Sequence, residues 1–193
     1  MSTAAIIAGG RATRMDGANK PALEIDGRSI AERQLEVLRA LFERVFVVAN
    51  EPRPWDALGI DRVEDVFRGA GPLSGIHAAL LAAGDAAAVV CVGGDMPFVQ
   101  PSLLALVRDH APAAAAVVPR VGGRAEPLLA RYGRACLPEI EARLAAGNNA
   151  AHALFDVIAT TWLDEAALRA VDPTLRSFTN VNTPADLARL RRP

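Results

Sequence analysis

The sequence contains few cysteines and aromatic residues, and its charges nearly cancel. Two cysteines among 193 residues are too few for a disulfide framework or a cysteine-rich zinc site. Lys and Arg total 21 against 22 Asp and Glu, so the balance gives no general signal for nucleic acid or an anionic membrane surface. No apolar run approaches the roughly 20 residues of a membrane helix, and the first residues lack the basic and apolar regions of a signal peptide. We therefore expect a cytoplasmic globular protein with neither nucleic acid nor membrane as a partner.

Short apolar runs alternate with helical patterns along the whole chain. Predicted strands cover residues 4–8, 44–49, 60–66, 87–92, 114–119 and 157–162, with an extended start at 126–132 and a strand-like tail at 178–182. Predicted helices follow the capping box Ser29–Glu32 and cover residues 73–83, 102–110 (capped by Ser102), 134–145 and 149–155, with a last helix from Thr183-Pro184. This alternation predicts a single α/β domain over residues 1–193. Its expected form is a three-layer, Rossmann-like fold with a mostly parallel sheet and helices on both faces.

A glycine turn follows the first apolar run. The run at residues 4–8 ends in Gly9-Gly10, and the cations Arg11, Arg14 and Lys20 come soon after. A loop of bare N–H groups backed by cations suits a polyphosphate. The Walker A spacing and the dinucleotide pattern G-x-G-x-x-G are both absent, which disfavours an ATPase or a dehydrogenase. A tight turn with its cations on a solvated face is the other interpretation of these residues.

Polar residues also stand where three other predicted strands end. They are Asn50, Asp65 and Asp95, the last within Gly93-Gly94-Asp95. In parallel sheets, ligands bind beyond the carboxyl ends of the strands, so these residues and the glycine turn should share one edge. A single carboxylate together with substrate phosphates is a common way of holding Mg²⁺. The structural alternatives are a turn residue for Asn50, a helix cap or ion pair for Asp65, and a helix N-cap for Asp95.

These motifs resemble those of the molybdenum cofactor guanylyltransferases, the MobA family of nucleotidyltransferases. The resemblance lies in Ala8-Gly9-Gly10-Arg11-x-x-Arg14-Met15, Lys20-Pro21, Val63-Glu64-Asp65, residues 71–75, Asp95-Met96-Pro97, Glu126-Pro127-Leu128 and Asn180-Val181-Asn182-Thr183-Pro184. Carried over position by position, it implies nucleotide contacts at Ile7, Ala8, Gly9, Gly10, Lys20, Asn50, Asp65 and Asp95. It makes Lys20, Arg14 and Asp95 catalytic and Asp95 the metal ligand, and Asn182 would contact the metal or the pterin phosphate.

The resemblance further implies transfer of GMP from GTP to the terminal phosphate of molybdopterin, with release of pyrophosphate. Mg²⁺, or alternatively Mn²⁺, would be the cofactor, and the partners would extend to other cofactor-biosynthesis proteins and molybdoenzymes. Two alternatives stay open at this point. One is a related transferase that uses another nucleotide or acceptor, such as a molybdopterin cytidylyltransferase or a sugar- or cobinamide-phosphate transferase. The other is a nucleotide-binding module without catalysis.

Overall fold

The computed structural model describes residues 1–9, 14–15, 18–183 and 186–188, and at 14–15 and 18–19 the backbone alone. The strands are β1 (Thr3–Ile7), β2 (Arg14–Met15), β3 (Ala18–Asn19), β4 (Glu24–Ile25), β5 (Arg28–Ser29), β6 (Arg44–Val48), β7 (Arg62–Val63), β8 (Ala88–Gly93), β9 (Ala116–Val121), β10 (Arg124–Ala125), β11 (Leu129–Gly133) and β12 (Thr160–Leu163). The helices are α1 (Ile30–Leu41), α2 (Pro72–Ala82), α3 (Pro101–Asp109), α4 (Leu137–Ala145) and α5 (Glu165–Val171). Short 3₁₀ turns cover Lys20–Ala22, Asp56–Leu58, Arg134–Cys136, Ala151–Asp156 and Arg176–Phe178.

An eight-stranded sheet forms the centre of the structure. Its order is β10-β9-β11-β8-β1-β6-β7, and β12 pairs with β9 off this path. Strands β8, β1, β6 and β7 are mutually parallel, and β12 is parallel to β9. The exceptions within the main path are β11, which lies antiparallel between β8 and β9, and β10, which lies antiparallel to β9. The predicted mostly parallel sheet is therefore confirmed.

The reversal of β11 originates in a glycine turn. Gly122 and Gly123 have φ of +54° and +77°, a region that costs a residue with a side chain more than glycine. The turn folds β10 back antiparallel onto β9, and the chain then inserts β11 beside β8. The sequence did not predict the strand order that follows from this turn.

Two hydrophobic cores lie on the two faces of the sheet. Ala4 and Ile6 of β1 belong to the core that includes side chains of α1, α3 and α5. Ala5 and Ile7, the alternate residues of the same strand, belong to the core that includes α2 and α4. Because successive side chains of a strand point to opposite faces, a strand covered on both sides must be largely apolar, as β1 is from Ala4 to Ile7. This is the three-layer arrangement that the alternating pattern predicted.

The capping box at the start of α1 is present as predicted. The Ser29 hydroxyl accepts a hydrogen bond from the Glu32 amide at 3.2 Å, and the Ser29 amide donates to the Glu32 carboxylate at 2.8 Å. Removing such a cap typically costs about 1 kcal/mol of stability. The box fixes where α1 begins and hence which of its residues face the sheet.

Several predicted element boundaries were wrong. Gln100 is the N-cap residue of α3 but makes no side-chain capping hydrogen bond, and Pro101 takes the first helical position. The Ser102 hydroxyl, predicted as the cap, instead donates to the carbonyl of Val171 at 2.8 Å. Residues 60–66 form only the two-residue strand β7, and the predicted helix at 149–155 is a 3₁₀ turn. Helix α5 was not predicted, although Asp164 caps it by accepting from the Ala167 amide.

The predicted strand at residues 178–182 is also absent. After the 3₁₀ turn at Arg176–Phe178 the backbone runs on without a strand partner as far as residue 183. Pro184, the expected first residue of a last helix, lies outside the described residues. In the described part of the chain, no helix is long and apolar enough to cross a membrane.

Candidate active site

The ends of four parallel strands meet at one edge of the sheet. The Ala8 amide donates to Val48 at 2.9 Å, the Ala49 amide to Val63 at 2.8 Å, and the Gly94 amide to Ile7 at 2.9 Å. These bonds extend the parallel pairing just beyond β1, β6, β7 and β8. The structure thus places Gly9, Asn50, Asp65 and Asp95 at the same edge, where the strand pattern predicted them.

Gly9 approaches the carboxylate of Asp65 very closely. A Cβ atom built on Gly9 would lie 2.5 Å from Oδ2 of Asp65 and 3.3 Å from its Cγ. The same Oδ2 accepts a hydrogen bond from Nδ2 of Asn50 at 3.2 Å, and the Asp65 amide donates to Oδ1 of Asn50 at 3.1 Å. This reciprocal pair joins the ends of β6 and β7 and fixes the carboxylate against the glycine backbone. Asn50 therefore does more than form a turn.

Asp65 keeps one carboxylate oxygen free. The residue is 7% exposed, and its Oδ1 and the Ser74 hydroxyl are buried without a hydrogen-bond partner in the described part of the chain. Burial raises the pKa of Asp65, while the hydrogen bond from Asn50 and the nearby Ser74 act to lower it. Ser74 is thus close, but its hydroxyl lacks the geometry of a formed hydrogen bond. A buried acceptor beside a glycine backbone suits a ligand that brings an N–H or O–H donor.

Asp95 stands in a tightly packed turn after β8. A Cβ on Gly94 would lie 3.0 Å from that of Ala8, and one on Gly93 would lie 3.0 Å from Oδ1 of Asp95. The Asp95 carbonyl accepts from the Val181 amide at 2.9 Å, and α3 begins only at Pro101. The N-cap alternative for Asp95 is therefore wrong.

Lys20 lies beside Asp95. Its side chain is buried, and Nζ donates to Oδ1 of Asn182 at 2.8 Å. Burial raises the pKa of Asp95, and the positive charge of Lys20 opposes that rise. The backbone amides of Asn182 and Thr183 in turn donate to Asp186 at 3.1 and 2.8 Å. Residues 178–182, which the sequence predicted as a strand, thus form an extended loop. This loop links Lys20 to the turn that contains Asp95.

Three residues expected at the site lie wholly or partly outside the described part of the chain. Gly10 and Arg11 lie outside the described residues, and the side chain of Arg14 does too, although its backbone belongs to β2. Their phosphate-binding roles stay predictions. Ile7 and Ala8 lie at the end of β1 as expected, and Ile7 packs so closely on α2 that any side chain at Gly75 would collide with it.

Sequence reasoning missed one buried polar residue of the site. Gln34 of α1 is 2% exposed and donates to the carbonyls of Gly93 and Met96, on either side of Asp95. The helical spacing of the sequence could have identified Gln34 as buried. The buried face of α1 consists of residues 30, 31, 34, 35 and 38, and Gln34 is the polar residue among them. A glutamine in such a stripe indicates a specific hydrogen-bond partner.

The donor set suits a metal ion that shares its ligands with a substrate. Among the described residues there is no group of three or more His, Cys, Asp or Glu that could hold a metal ion. Asp95 offers a single, partly exposed carboxylate at the edge of the sheet. Mg²⁺ is commonly held by one or two carboxylates, substrate phosphates and several waters, so Asp95 fits an ion that arrives with a nucleotide.

The two cysteines are not candidates for a nucleophile. Both thiols are buried. Burial raises the pKa of Cys91 well above its ordinary range and that of Cys136 to about 11. Since the thiolate is the reactive form, neither side chain supports covalent catalysis at neutral pH. The polar groups at the edge of the sheet can instead bind and orient phosphates.

Comparison with known proteins agrees with this geometry. Residues 4–165 match the family described as the MobA-like NTP transferase domain. The chain is 36% identical over 190 residues to a probable molybdenum cofactor guanylyltransferase of Pelotomaculum thermopropionicum, covering 98% of this chain and 92% of the relative. It is 36% identical over 191 residues to a molybdenum cofactor guanylyltransferase of Desulfosudis oleivorans, covering 96% and 92%. The crystal structure of molybdopterin-guanine dinucleotide biosynthesis protein A from Archaeoglobus fulgidus is similar with a TM-score of 0.83 and 28% identity, covering 98% and 96%.

The fold, the polar edge of the sheet and the family match make this chain a nucleotidyltransferase. Within that class it belongs to the molybdenum cofactor guanylyltransferases, whose curated members it matches over nearly its whole length. The family, the enzyme class and the α/β fold predicted from the sequence are confirmed.

Proposed function

We propose that this chain transfers GMP from GTP to the terminal phosphate of molybdopterin and releases pyrophosphate. The observation that carries the proposal is the arrangement of the sheet edge. Along the shared carboxyl edge of four adjacent strands, an Asp65 site packed against glycine lies at β6 and β7, and an Asp95–Lys20 site lies at β8. A nucleoside triphosphate has the two matching parts, a nucleoside rich in hydrogen-bond donors and an anionic phosphate chain.

The nucleoside would lie over the ends of β1, β6 and β7. The absence of a Cβ at Gly9 lets the Asp65 carboxylate pack against the backbone there, and its free Oδ1 would accept a donor from the nucleoside. Asn50 fixes Asp65 through both atoms of its side-chain amide, since Nδ2 donates to the carboxylate and Oδ1 accepts from the Asp65 backbone amide. Ile7 and Ala8 would contribute backbone contacts from the end of β1.

The triphosphate would extend toward β8. Lys20 brings a cation to this end, and Gly10, Arg11 and Arg14 would contact the phosphates, as the family resemblance implies. Asp95 would hold Mg²⁺, or Mn²⁺ in its place, and the bound ion would supply positive charge to the phosphate oxygens. Asn182 keeps the Lys20 amine at this position before any substrate binds.

The reaction would need no covalent intermediate with the protein. An oxygen of the molybdopterin phosphate attacks the α-phosphorus of GTP, the bond from that phosphorus to the bridging oxygen breaks, and pyrophosphate leaves with the electron pair. Positioning and charge stabilisation carry most of the rate in such transfers. Lys20 and Arg14 would offset the charge that grows on the leaving pyrophosphate.

The first test is the choice of substrates. Pyrophosphate release is measured with each of the four nucleoside triphosphates, with and without molybdopterin, and with Mg²⁺ or Mn²⁺. We expect turnover with GTP only when molybdopterin is present. Turnover with CTP and not with GTP would identify a cytidylyltransferase activity. Turnover with a sugar phosphate or cobinamide phosphate would show that the acceptor is not molybdopterin.

The second test is Asp95→Ala. We expect turnover to be abolished, while GTP binds more weakly but measurably, because the substitution removes the metal ligand and leaves the Asp65 site intact. Asp85→Ala is the matched control, since Asp85 is an exposed carboxylate in the turn before β8, at the opposite edge of the sheet. A wild-type protein that binds GTP without any turnover would be a binding module and not an enzyme.

A further inference from the structure

Gln34 is a polar residue in the apolar face of a helix. Its neighbours on the buried face of α1 are Ile30, Ala31, Leu35 and Leu38, and Gln34 is as inaccessible as they are. Burying an amide is unfavourable unless hydrogen bonds replace its water. The residue therefore calls for an explanation in terms of what its amide contacts.

The Gln34 side chain contacts the turn that carries Asp95. Its Nε2 donates to the carbonyl of Gly93 at 2.6 Å and to that of Met96 at 3.1 Å. These carbonyls lie on either side of Asp95, 59 and 62 residues away from Gln34 in the chain. Both acceptors are oxygens, so the nitrogen of the amide must face them. One side chain of α1 thus spans the turn.

The rest of the turn is held by backbone hydrogen bonds from other elements. The Gly93 amide donates to Leu128 at 2.6 Å, the Gly94 amide donates to Ile7 at 2.9 Å, and the Val181 amide donates to Asp95 at 2.9 Å. The Gly93 carbonyl also accepts from the Met96 amide at 3.2 Å. The Met96 carbonyl, by contrast, has Gln34 as its hydrogen-bond donor. Loss of that donor would free the outgoing side of the turn.

The Gln34 amide is not fully satisfied itself. Its Oε1 is buried without a hydrogen-bond partner among the described residues. An apolar side chain of similar size would avoid that unpaired acceptor and would pack well with Leu35 and Leu38. Packing alone therefore does not explain a glutamine here, whereas holding the two carbonyls of the Asp95 turn does.

We propose that Gln34 is a positioning residue that orients Asp95 for metal and phosphate binding by fixing the turn on both sides of it. The inference rests on the proposed role of Asp95 as the metal ligand. Groups that orient a metal ligand typically change metal affinity or activity by about 10- to 100-fold when they are removed. A residue that only stabilised the fold would not act selectively on the metal.

The test compares Gln34→Met with Gln100→Met in the full-length protein. Methionine keeps the length of the side chain and removes the donor. Gln100 is the matched control because its Nε2 donates to the Phe98 carbonyl, outside the Asp95 turn. Each protein is measured for Mn²⁺ affinity in the presence of GTP, for GTP affinity without metal, for kcat and KM, and for its thermal midpoint. Asp95→Ala is measured alongside.

We expect Gln34→Met to bind Mn²⁺ about 10-fold more weakly and to lose kcat in similar proportion, with its metal-free GTP affinity unchanged. Gln100→Met should behave as the wild type. Wild-type Mn²⁺ affinity and kcat in Gln34→Met would overturn the inference, and so would an equal loss of metal-free GTP affinity. If Gln34→Met does not fold, Gln34→Asn, whose amide is one methylene short, is held to the same criteria. Failure of both to fold would make Gln34 a structural residue.

The measurements separate this inference from the proposed function. If Asp95→Ala binds Mn²⁺ as the wild type does, the assignment of Asp95 as the metal ligand fails. If Asp95→Ala loses the metal and Gln34→Met keeps it, the role of Asp95 stands and only that of Gln34 fails.

Discussion

Replacing Gly9 by alanine is the most direct perturbation of the Asp65 part of the candidate site. The added methyl group would lie 2.5 Å from Oδ2 of Asp65, well inside van der Waals contact. The carboxylate cannot retreat freely, because the side chain and backbone of Asp65 are both hydrogen-bonded to Asn50. Relief of the clash must therefore shift Asp65 and break at least one bond of this pair.

The size of the effect follows from those contacts. Overpacking a well-filled site by one methyl group typically costs about 1–3 kcal/mol, and loss of one hydrogen bond of the pair lies within that range at about 1 kcal/mol. For a chain of 193 residues, each kcal/mol lowers the melting temperature by about 2–4 °C. We expect Gly9→Ala to lose about 1–3 kcal/mol of unfolding free energy and to bind GTP more weakly.

A double-mutant cycle isolates the contact. Urea unfolding is measured for the wild type, Gly9→Ala, Asp65→Ala and the double variant, all without ligand. Replacing glycine by alanine also lowers the conformational entropy of the unfolded chain. This effect is the same in the wild-type and Asp65→Ala backgrounds, so it cancels in the cycle. In the Asp65→Ala background the methyl group has room, so Gly9→Ala should cost almost nothing there, leaving a coupling energy of about 1–3 kcal/mol.

Two results would refute this reasoning. One is a Gly9→Ala protein as stable as the wild type, which would mean that Asp65 moves at no cost. The other is an equal loss of unfolding free energy on Gly9→Ala in the wild-type and Asp65→Ala backgrounds, which would mean that the added methyl group does not clash with Asp65.

Two further predictions follow from the pKa of Asp95. Burial raises this pKa, so the folded protein binds the proton more tightly than the unfolded chain, and stability falls as pH rises from the unfolded value to the folded one. Asp95→Asn should therefore raise the melting temperature of the ligand-free protein at neutral pH, with a smaller gain in acid, while abolishing turnover; a lower melting temperature at neutral pH would contradict this. Because Lys20 lowers the pKa of Asp95, Lys20→Met should raise that pKa in the ligand-free protein, as measured by NMR titration of the Asp95 carboxyl carbon. An Asp95 pKa that stays unchanged or falls in Lys20→Met would contradict the interaction.

The sequence predicted the sheet edge well because its signal is local. Each of the strands β1, β6 and β8 is a short apolar run that stops at a glycine or a polar residue, and parallel pairing alone brings those stops together. The capping box of α1 is equally local, since both of its hydrogen bonds join residues three apart.

The failures involve contacts that are distant in the sequence. The tail at 178–182 has the composition of a strand, but its hydrogen bonds go to the Asp95 turn and Lys20, so no strand partner is required. The reversed direction of β11 depends on which strand it finds after the glycine turn. Gln34 is separated from its two carbonyl acceptors by 59 and 62 residues. The hydrophobic periodicity of a sequence indicates which residues are buried, but not which distant residues they contact.

The link between Lys20 and Asn182 bears on how the protein is made. The two residues are 162 positions apart, although their side chains touch. During synthesis β1, β6 and β7, whose ends carry the Asp65 site, emerge from the ribosome early and can pair before β8 is translated. Lys20 acquires its amide partner only after nearly all the remaining chain has been translated. A nascent chain can thus form the Asp65 site well before the Lys20–Asn182 contact beside Asp95 exists.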